Sequence, residues 1–273
     1  MDIKLVISDL DGTLLNDDKE VNPEFWGVYE ALKEKGIMFI VASGRQLYTM
    51  EKQFKRIKGE IVFIAENGAI MKKGDEVLHQ DALERGEANE LIKMAREISN
   101  VNPILCGVKS AYVESTEEPF FELASKFYHR LSVVEDLTKV DDVILKIAIA
   151  DSQDPDGNSY KHFKKYESKY KIAISGPDWM DVSSPTANKG AAIALIKKKL
   201  NIKNEEIMVF GDFPNDFEMM QMGTHSYAMK NAHPEILKIA KNITEKDNNE
   251  NGVLETIKKV LLQDQNIHQQ HLV

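Results

Sequence analysis

Short apolar runs, each ending in polar or glycine residues, recur along the first part of the chain. They are residues 4–12 (KLVISDLDG), 37–45 (IMFIVASGR) and 61–69 (IVFIAENGA). Apolar runs of this length are typical of strands that are buried on both faces, and each is followed by a helical pattern. Strands that alternate with helices in this way predict a parallel α/β sheet.

The helix between the first two strands has clear sequence signals at both ends. Asn22 and Pro23 predict its start, as N-cap and first helical residue, and Gly36 predicts its end. Apolar residues at helical spacing form one face between these positions: Phe25, Val28, Tyr29 and Leu32. The first 45 residues therefore predict a βαβ unit.

The same order returns late in the chain. Residues 205–216 (EEIMVFGDFPND) predict a strand that lies between helical patterns at 188–200 and 216–223. A short strand at 225–229 and helices near 233–241 and 252–263 follow. These elements extend the predicted parallel sheet.

The middle of the chain follows a different pattern. Its predicted helices are 83–98, 117–130 and 157–170, and its predicted strands are 103–108, 110–115, 143–150, 171–175 and 179–183. This order indicates an α+β domain inserted into the α/β domain. We predict a core of residues 1–82 and 186–273 and an inserted domain of residues 83–185.

Polar residues follow each of the four predicted core strands. They are Asp9 and Asp11, Ser43 to Arg45, Glu66 to Gly68, and Asp212 to Asp216. Because ligands of parallel α/β sheets bind outside the carboxyl ends of the strands, we expect these groups to meet in one crevice.

Each group also has an ordinary structural explanation. An aspartate at a strand end can cap the next helix, Ser43-Gly44 can form a simple turn, and Asn67-Gly68 is a strong hairpin signal. The conjunction of all four favours a functional site, because independent caps and turns need not collect carboxylates at one edge.

Four carboxylates at this edge would repel one another when ionised: Asp9, Asp11, Asp212 and Asp216. A hard cation with oxygen ligands relieves that repulsion, and Mg²⁺ is the candidate for phosphate chemistry. The seven histidines lack paired ligand spacing, and the single cysteine, Cys106, offers no softer site.

Lys189 lies at the start of a predicted helix, where the helix dipole disfavours a cation. The last turn of the same helix already carries lysines at 197–199. A lysine at the unfavourable end is either a solvated side chain or the partner of an anion, and the second reading fits the predicted crevice.

Composition narrows the class of partner. The formal net charge of −9 disfavours nucleic acid and anionic membrane surfaces, which are bound through Lys and Arg. The sequence has no run of about 18 apolar residues, which a membrane-spanning helix needs. The first fifteen residues do not resemble a signal peptide, and one cysteine excludes an internal disulfide. We expect a cytoplasmic protein that is a monomer or a weak homo-oligomer.

The motifs resemble those of the haloacid dehalogenase-like (HAD) phosphohydrolases. In order they are DLDGTLL (9–15), VASGR (41–45), Lys189 in NKGAA, and GDFPND (211–216). The ENGA segment at 66–69 and the large insert resemble the Cof-type subfamily, whose mixed α/β cap enters after the third core strand. The resemblance implies a Rossmann-like core with an inserted α+β cap. Phe213-Pro214 departs from the more usual small or polar pair in the last motif.

The resemblance also implies roles for individual residues. Asp9 would be the nucleophile and Asp11 the general acid and base. Mg²⁺ would be held by Asp9, the backbone carbonyl of Asp11 and Asp212, with Asp216 in contact or one shell out. The implied phosphate-binding groups are Leu10, Ser43, Gly44, Lys189 and Asn215, and Arg45 and Asn67 would lie at the mouth.

The sequence therefore predicts a Mg²⁺-dependent phosphatase of small phosphomonoesters. Sugar phosphates are favoured, and flavin mononucleotide and pyridoxal phosphate stay open. The inserted domain would select the substrate, and its segment 175–184 is a better candidate for reaching it than the aromatic stretch 119–131. A phosphomutase and a non-catalytic metabolite-binding protein are the alternatives.

Overall fold

The computed structural model describes residues 2–262. The strands are β1 (Leu5–Ser8), β2 (Met38–Ala42), β3 (Val62–Ala65), β4 (Ile70–Lys73), β5 (Glu76–Gln80), β6 (Val101–Gly107), β7 (Ala111–Val113), β8 (Leu131–Val133), β9 (Ile144–Asp151), β10 (Lys171–Gly176), β11 (Trp179–Ser183), β12 (Ile207–Gly211), β13 (His225–Ala228) and β14 (Asn242–Ile243). The helices are α1 (Glu24–Glu34), α2 (Leu47–Gln53), α3 (Arg85–Arg96), α4 (Phe120–Phe127), α5 (Ser159–Phe163), α6 (Lys189–Leu200), α7 (Phe217–Met220), α8 (Pro234–Ile239) and α9 (Gly252–Leu261).

These elements form two compact units. The first unit contains residues 2–43, 57–64 and 188–262 of the described chain, and the second contains residues 44–56 and 65–187. Both segments of the second unit lie between segments of the first in the sequence. The predicted bounds, 1–82 and 186–273 for the core and 83–185 for the cap, stay a prediction. They divide the chain by function, and the division into two compact units does not test which residues select a substrate.

The first unit is built on a parallel sheet. Its strand order is β14-β13-β12-β1-β2-β3, and every neighbouring pair is parallel. Leu5, Val6 and Ile7 in the central strand β1 are fully buried, as expected for a strand covered on both faces. The predicted parallel α/β core is confirmed.

Helix α1 shows how the sequence pattern places the helices of this unit. Its buried residues are the four predicted ones: Phe25, Val28, Tyr29 and Leu32. The start differs from the prediction by one residue, because Pro23 is the N-cap and the side chain of Asn22 accepts a hydrogen bond from the N–H of Glu24 at 2.9 Å.

The second unit contains a six-stranded mixed sheet in the order β10-β11-β9-β6-β7-β8. Its pairs are antiparallel except for the parallel pair β7 and β8. Strand β9 is buried on both faces, since Ile147 and Ile149 join one apolar cluster while Ala148 and Ala150 join another. Helices α3 and α5 pack on the first cluster and α4 packs on the second. The predicted α+β character of the insert is confirmed.

The predicted lengths of two helices in the second unit were wrong. Helix α4 is shorter than the predicted 117–130, and α5 continues only as a 3-10 turn over Lys164–Tyr166. The pair Asn67-Gly68 lies in a left-handed turn, the conformation that its residue types indicate, and β4 and β5 form an antiparallel pair. Cys106 is buried, as expected of a small apolar residue. The predicted polar tail, 263–273, lies outside the described residues.

Candidate active site

Two neighbouring parallel strands deliver the first two aspartates of the site. Asp9 follows β1 directly and Asp212 follows β12 directly. The two strands pair in parallel register, and the N–H of Asp9 donates to the carbonyl of Phe210 at 3.0 Å. The carboxyl ends of the strands therefore bring these side chains to one edge of the sheet, as the sequence pattern predicted.

Lys189, the first residue of α6, is fully buried among carboxylates. Its Nζ atom lies 2.5 Å from Oδ1 of Asp9 and 2.6 Å from Oδ1 of Asp216. Burial alone would lower the pKa of this lysine, but attraction to Asp216 and Asp9 outweighs it and holds the pKa above its usual value. The sequence led us to expect an anion near this helix start, and the carboxylates of Asp9 and Asp216 fill that role.

Asp9, Asp212 and Asp216 each offer an oxygen to one small volume, and these oxygens all lie within 4.8 Å of one another. Burial raises the pKa of Asp9 well above its usual value; Lys189 opposes this shift, and Asp216 and Asp212 add to it. Burial also raises the pKa of Asp212 to about 6. Asp9 and Asp212 are thus costly to ionise beside Asp216. A hard cation bound by carboxylate oxygens would offset this cost, because it stabilises the ionised forms. The chain can hold a metal ion here.

Asp216 organises the loop as well as the site. It is fully buried, and its Oδ2 accepts hydrogen bonds from the N–H groups of Asp212 at 2.9 Å and Phe213 at 3.2 Å. Its Oδ1 accepts from Lys189. Both carboxylate oxygens of Asp216 therefore already accept hydrogen bonds from the protein. This favours a role in holding the loop and Lys189 over a role as a main ligand of the cation.

Thr13 and Gly12 contribute to the site although the sequence reasoning gave them no role. The hydroxyl of Thr13, which is buried, donates to Oδ1 of Asp212 at 2.7 Å. Gly12 has a φ of +75°, and a Cβ atom there would lie 2.4 Å from Oδ2 of Asp212. Both residues stand inside the DLDGTLL motif, so the motif itself was the available signal.

Asn231 also supports the loops of the site, a role that the sequence did not reveal. Its side-chain amide donates to the carbonyl of Gly12 at 2.8 Å, across 219 positions of sequence. Two residues later, the N–H of His233 donates to the carbonyl of Asp212 at 2.7 Å. No local pattern predicts these contacts, because each depends on two loops that meet only in the folded sheet.

Asp11 differs from Asp9 in its surroundings. Its side chain is 39% exposed, whereas Asp9 is buried, and its Oδ1 lies 3.0 Å from Nζ of Lys19. A carboxyl group open to solvent can exchange a proton with water. Leu10, between the two aspartates, buries its side chain in the core.

The remaining predicted residues of the first unit are Ser43 and Asn215. Ser43 is buried directly after β2, and its N–H donates to the carbonyl of Ile64 at 2.8 Å. Asn215 lies in the 3-10 turn Pro214–Asp216, which Pro214 begins. The preceding Phe213 is 56% exposed and meets the ring of His233 edge-on.

Gly44, Arg45 and Asn67 belong to the second unit. A guanidinium nitrogen of Arg45 donates to Gln53 at 3.1 Å. A Cβ atom on Gly44 would lie 3.1 Å from both Nδ2 and Oδ1 of Asn67, so the Asn67 amide packs directly on this glycine. The positions of these three residues toward a substrate stay a prediction.

Comparisons with known proteins agree with the motifs. The sequence matches the model of the haloacid dehalogenase-like hydrolases over residues 6–257. It is 32% identical over 265 residues to the 5-amino-6-(5-phospho-D-ribitylamino)uracil phosphatase YbjI of Escherichia coli strain K12, covering 96% of this chain and 97% of that protein. It is 26% identical over 262 residues to the phosphatase YcsE of Bacillus subtilis strain 168, named for the same substrate, with coverage of 96% and 97%.

A crystal structure from Eubacterium rectale resembles this chain with a TM-score of 0.87 and 28% identity, covering 96% of this chain and all of that one. Among the described residues no helix has the length and apolar character to cross a membrane. The predicted enzyme, a hydrolase whose relatives are named phosphatases, is confirmed. With the four motifs in order and the match extending over both units, the chain belongs to the haloacid dehalogenase-like hydrolase family.

Proposed function

We propose that the protein is a Mg²⁺-dependent phosphatase that hydrolyses small phosphomonoesters through an aspartyl-phosphate on Asp9. The observation that carries this proposal is the buried cluster of Asp9, Lys189, Asp212 and Asp216 at the carboxyl edge of a parallel sheet. A buried carboxylate beside a lysine and a cation site suits a nucleophile that must approach a phosphate dianion without repulsion.

The reaction divides into two transfers. An oxygen of Asp9 attacks phosphorus, the bond from phosphorus to the ester oxygen breaks, and Asp11 gives its proton to the departing oxygen. Asp11 then removes a proton from a water molecule, whose oxygen attacks phosphorus and releases orthophosphate from Asp9. The exposure of Asp11 supports this exchange, because its carboxyl group can reach solvent between the two steps.

Asp9, Asp212 and the backbone carbonyl of Asp11 would hold Mg²⁺, and Asp216 would support them. The cation, when bound, neutralises negative charge on the oxygens of the transferring group. Thr13 orients Asp212 for this task through its hydrogen bond. Lys189 opposes the effect of burial on the pKa of Asp9 and lies within hydrogen-bond distance of its Oδ1, so it favours the ionised form that attacks phosphorus.

The phosphate group would be bound by donors at the strand ends. The proposed set comprises the hydroxyl of Ser43, the N–H groups of Leu10 and Gly44, the ammonium of Lys189 and the amide of Asn215. Such fixed donors stabilise the charge that spreads over the phosphate oxygens in the transition state. Arg45 and Asn67 are the proposed contacts to the rest of the substrate.

Phosphorylated sugars and sugar-like metabolites are the proposed substrates, and the second unit is proposed to select among them. Two relatives are named for a phosphorylated ribityl chain attached to a pyrimidine. We therefore place that compound first in a substrate panel, together with hexose and pentose phosphates, flavin mononucleotide and pyridoxal phosphate.

The test is orthophosphate release from this panel with Mg²⁺ and with a chelator. We expect release from at least one compound, loss with the chelator, and loss in Asp9→Asn. Lys199→Met, which alters an exposed lysine of α6, serves as the control and should retain activity. Full activity of Asp9→Asn would refute the proposal. An isomerised phosphate ester without free orthophosphate would indicate a phosphomutase, and tight binding without turnover would indicate a metabolite-binding protein.

A further inference from the structure

The second unit contains a buried ion cluster that has no part in the mechanism above. Lys146 on β9 lies between two carboxylates, with its Nζ atom 2.9 Å from Oε2 of Glu66 and 3.0 Å from Oδ2 of Asp181. The three side chains are only 6%, 2% and 12% exposed, respectively. Three charged groups in such a place need an explanation, since taking them out of water costs free energy.

The cluster lies on an otherwise apolar face of the sheet. Lys146 pairs across the ladder with Cys106, and Asp181 pairs with Ala148. Cys106 and Ala148 both belong to the apolar cluster under α4. Apolar residues at the three charged positions would serve packing equally well. A lysine held between two carboxylates instead fixes the distance between the groups that it joins.

One of those groups, Glu66, begins a turn with an unfavourable backbone. The turn Glu66–Gly68 has successive φ values of 49°, 54° and 98°, all in the left-handed region that only glycine adopts freely. The N–H of Glu66 joins the turn to the loop after β2 by donating to the carbonyl of Arg45 at 3.1 Å, and the carbonyl of Glu66 accepts from the N–H of Ala69 at 3.2 Å. Its side chain is tied by Lys146. Two attachments at one residue thus hold the start of a strained turn.

The next residue of this turn packs on the loop that follows β2. The Asn67 amide lies against Gly44, close enough that a Cβ atom there would approach both of its polar atoms to 3.1 Å. Arg45, whose carbonyl accepts from Glu66, is the following residue of that loop. The turn therefore touches the loop at two successive positions. A shift of the turn would be transmitted to the backbone of Gly44.

We propose that Lys146 and Glu66 are positioning residues for phosphate binding, acting through Asn67 on the N–H of Gly44. The ion pair holds the left-handed turn, the turn holds Asn67 against Gly44, and Gly44 keeps its N–H in place for the phosphate. This role rests on the proposed function, in which the Gly44 N–H is one of the phosphate donors. Asp181 shares the ammonium of Lys146 with Glu66, accepts a hydrogen bond from it at 3.0 Å, and belongs to strand β11 instead of the turn.

Two isosteric variants separate this role from a general effect on folding. Glu66→Gln and Asp181→Asn each remove one negative charge from the cluster and each leave Lys146 paired with the other carboxylate. Only Glu66→Gln weakens the grip on the turn. The full-length protein is compared in three measurements: KM and kcat for the best substrate of the panel, the inhibition constant of orthophosphate, and the thermal unfolding temperature.

We expect Glu66→Gln to raise KM and the inhibition constant of orthophosphate about tenfold, the effect of losing one contact to a charged group. Asp181→Asn should change both by less than about twofold on the same scale. A folded Lys146→Met variant should show the same increases in KM and in the inhibition constant of orthophosphate as Glu66→Gln. A purely structural role would lower the active fraction, and hence the apparent kcat, with KM unchanged.

Equal KM and inhibition constants in Glu66→Gln and wild type, with both proteins folded, would overturn the positioning role. Equal increases in Glu66→Gln and Asp181→Asn would overturn it too, because the effect would then follow the lost charge and not the turn. Absence of turnover in wild type over the whole panel would instead refute the proposed function, and binding of orthophosphate by calorimetry would then test the positioning role on its own.

Discussion

The Nζ atom of Lys189 lies 2.5 Å from Oδ1 of Asp9, and the lysine is wholly buried. The same ammonium lies 2.6 Å from Asp216, so one cation serves two buried carboxylates. Loss of the lysine is the most costly change to this arrangement, because it leaves two neighbouring buried carboxylates without a counter-charge. Lys189 therefore links the stability of the site to its proposed chemistry.

Lys189→Met should abolish most activity and destabilise the metal-free protein. In the proposed mechanism Lys189 faces the transferring group, and removal of such a fixed charge costs about 10²- to 10³-fold in kcat. Loss of one partner of a buried ion pair costs about 3 to 5 kcal/mol in the free energy of unfolding. Phosphate release and urea unfolding at pH 7.5 check both effects, with Lys199→Met as the exposed control on the same helix. A variant that keeps wild-type kcat would show that Lys189 is structural only.

Thr13→Val should lower the apparent affinity for Mg²⁺ without stopping the reaction. The Thr13 hydroxyl donates to Oδ1 of Asp212 at 2.7 Å and lowers the pKa of that carboxyl against the effect of burial. Without it, Asp212 holds a proton more firmly and is less well oriented, so we expect the Mg²⁺ concentration for half-maximal activity to rise about tenfold.

Thr13→Ser provides the control for this variant, since it keeps the hydroxyl. The measurement is a Mg²⁺ titration of phosphate release at pH 7. An unchanged titration for Thr13→Val, or an equal change for Thr13→Ser, would contradict the assigned role of the hydroxyl.

The sequence predicted the charged residues of the candidate site better than the residues that hold them in place. Asp9, Asp212 and Lys189 stand at the ends of elements whose type and order follow from apolar runs and helix signals, so their convergence follows from the geometry of a parallel sheet. Thr13 and Asn231 act through hydrogen bonds between loops far apart in the sequence, at 199 and 219 positions. Periodicity carries no information about such contacts.

The turn Glu66–Gly68 shows another limit of sequence reasoning. Asn67-Gly68 is typical of a hairpin turn, and the local preference for a left-handed backbone was indeed met. The partner of the turn was not indicated, because Glu66 pairs with Lys146, which lies 80 positions away on strand β9. The residue types indicated the conformation, whereas the tertiary partner determined what it supports.

The stability of the metal-free protein should fall as the pH rises through the range in which Asp212 ionises. In the folded protein the pKa of Asp212 is raised from 3.8 to about 6, chiefly by burial. The folded state therefore binds this proton more tightly than the unfolded chain. Its contribution is present below about pH 4 and is lost by about pH 6, and it amounts to at most about 3 kcal/mol.

Asp212→Asn isolates this contribution, since it removes the titrating group. In the presence of a chelator, the unfolding free energy of wild type minus that of the variant should decrease between pH 4 and pH 7, as measured by urea unfolding. Carboxylates with lowered pKa values, such as Glu206, occur in both proteins and cancel in the difference. A difference that rises with pH would show that Asp212 is not held in its neutral form by the fold.

Gly12 and Gly36 allow strain to be separated from crowding at the metal site. Their φ values are nearly equal, +75° and +72°, so alanine at either position should cost about 1 to 2 kcal/mol through the backbone alone. A Cβ atom at Gly36 meets nothing within 4 Å, whereas at Gly12 it would lie 2.4 Å from Oδ2 of Asp212. We expect Gly36→Ala to lower the unfolding temperature with the Mg²⁺ titration unchanged. Gly12→Ala should lower it as well and also raise the Mg²⁺ requirement at least about tenfold, because the displaced carboxylate can no longer face the cation. Identical Mg²⁺ titrations for the two variants would mean that Asp212 moves aside freely and that the close approach of the chain at Gly12 does not shape the site.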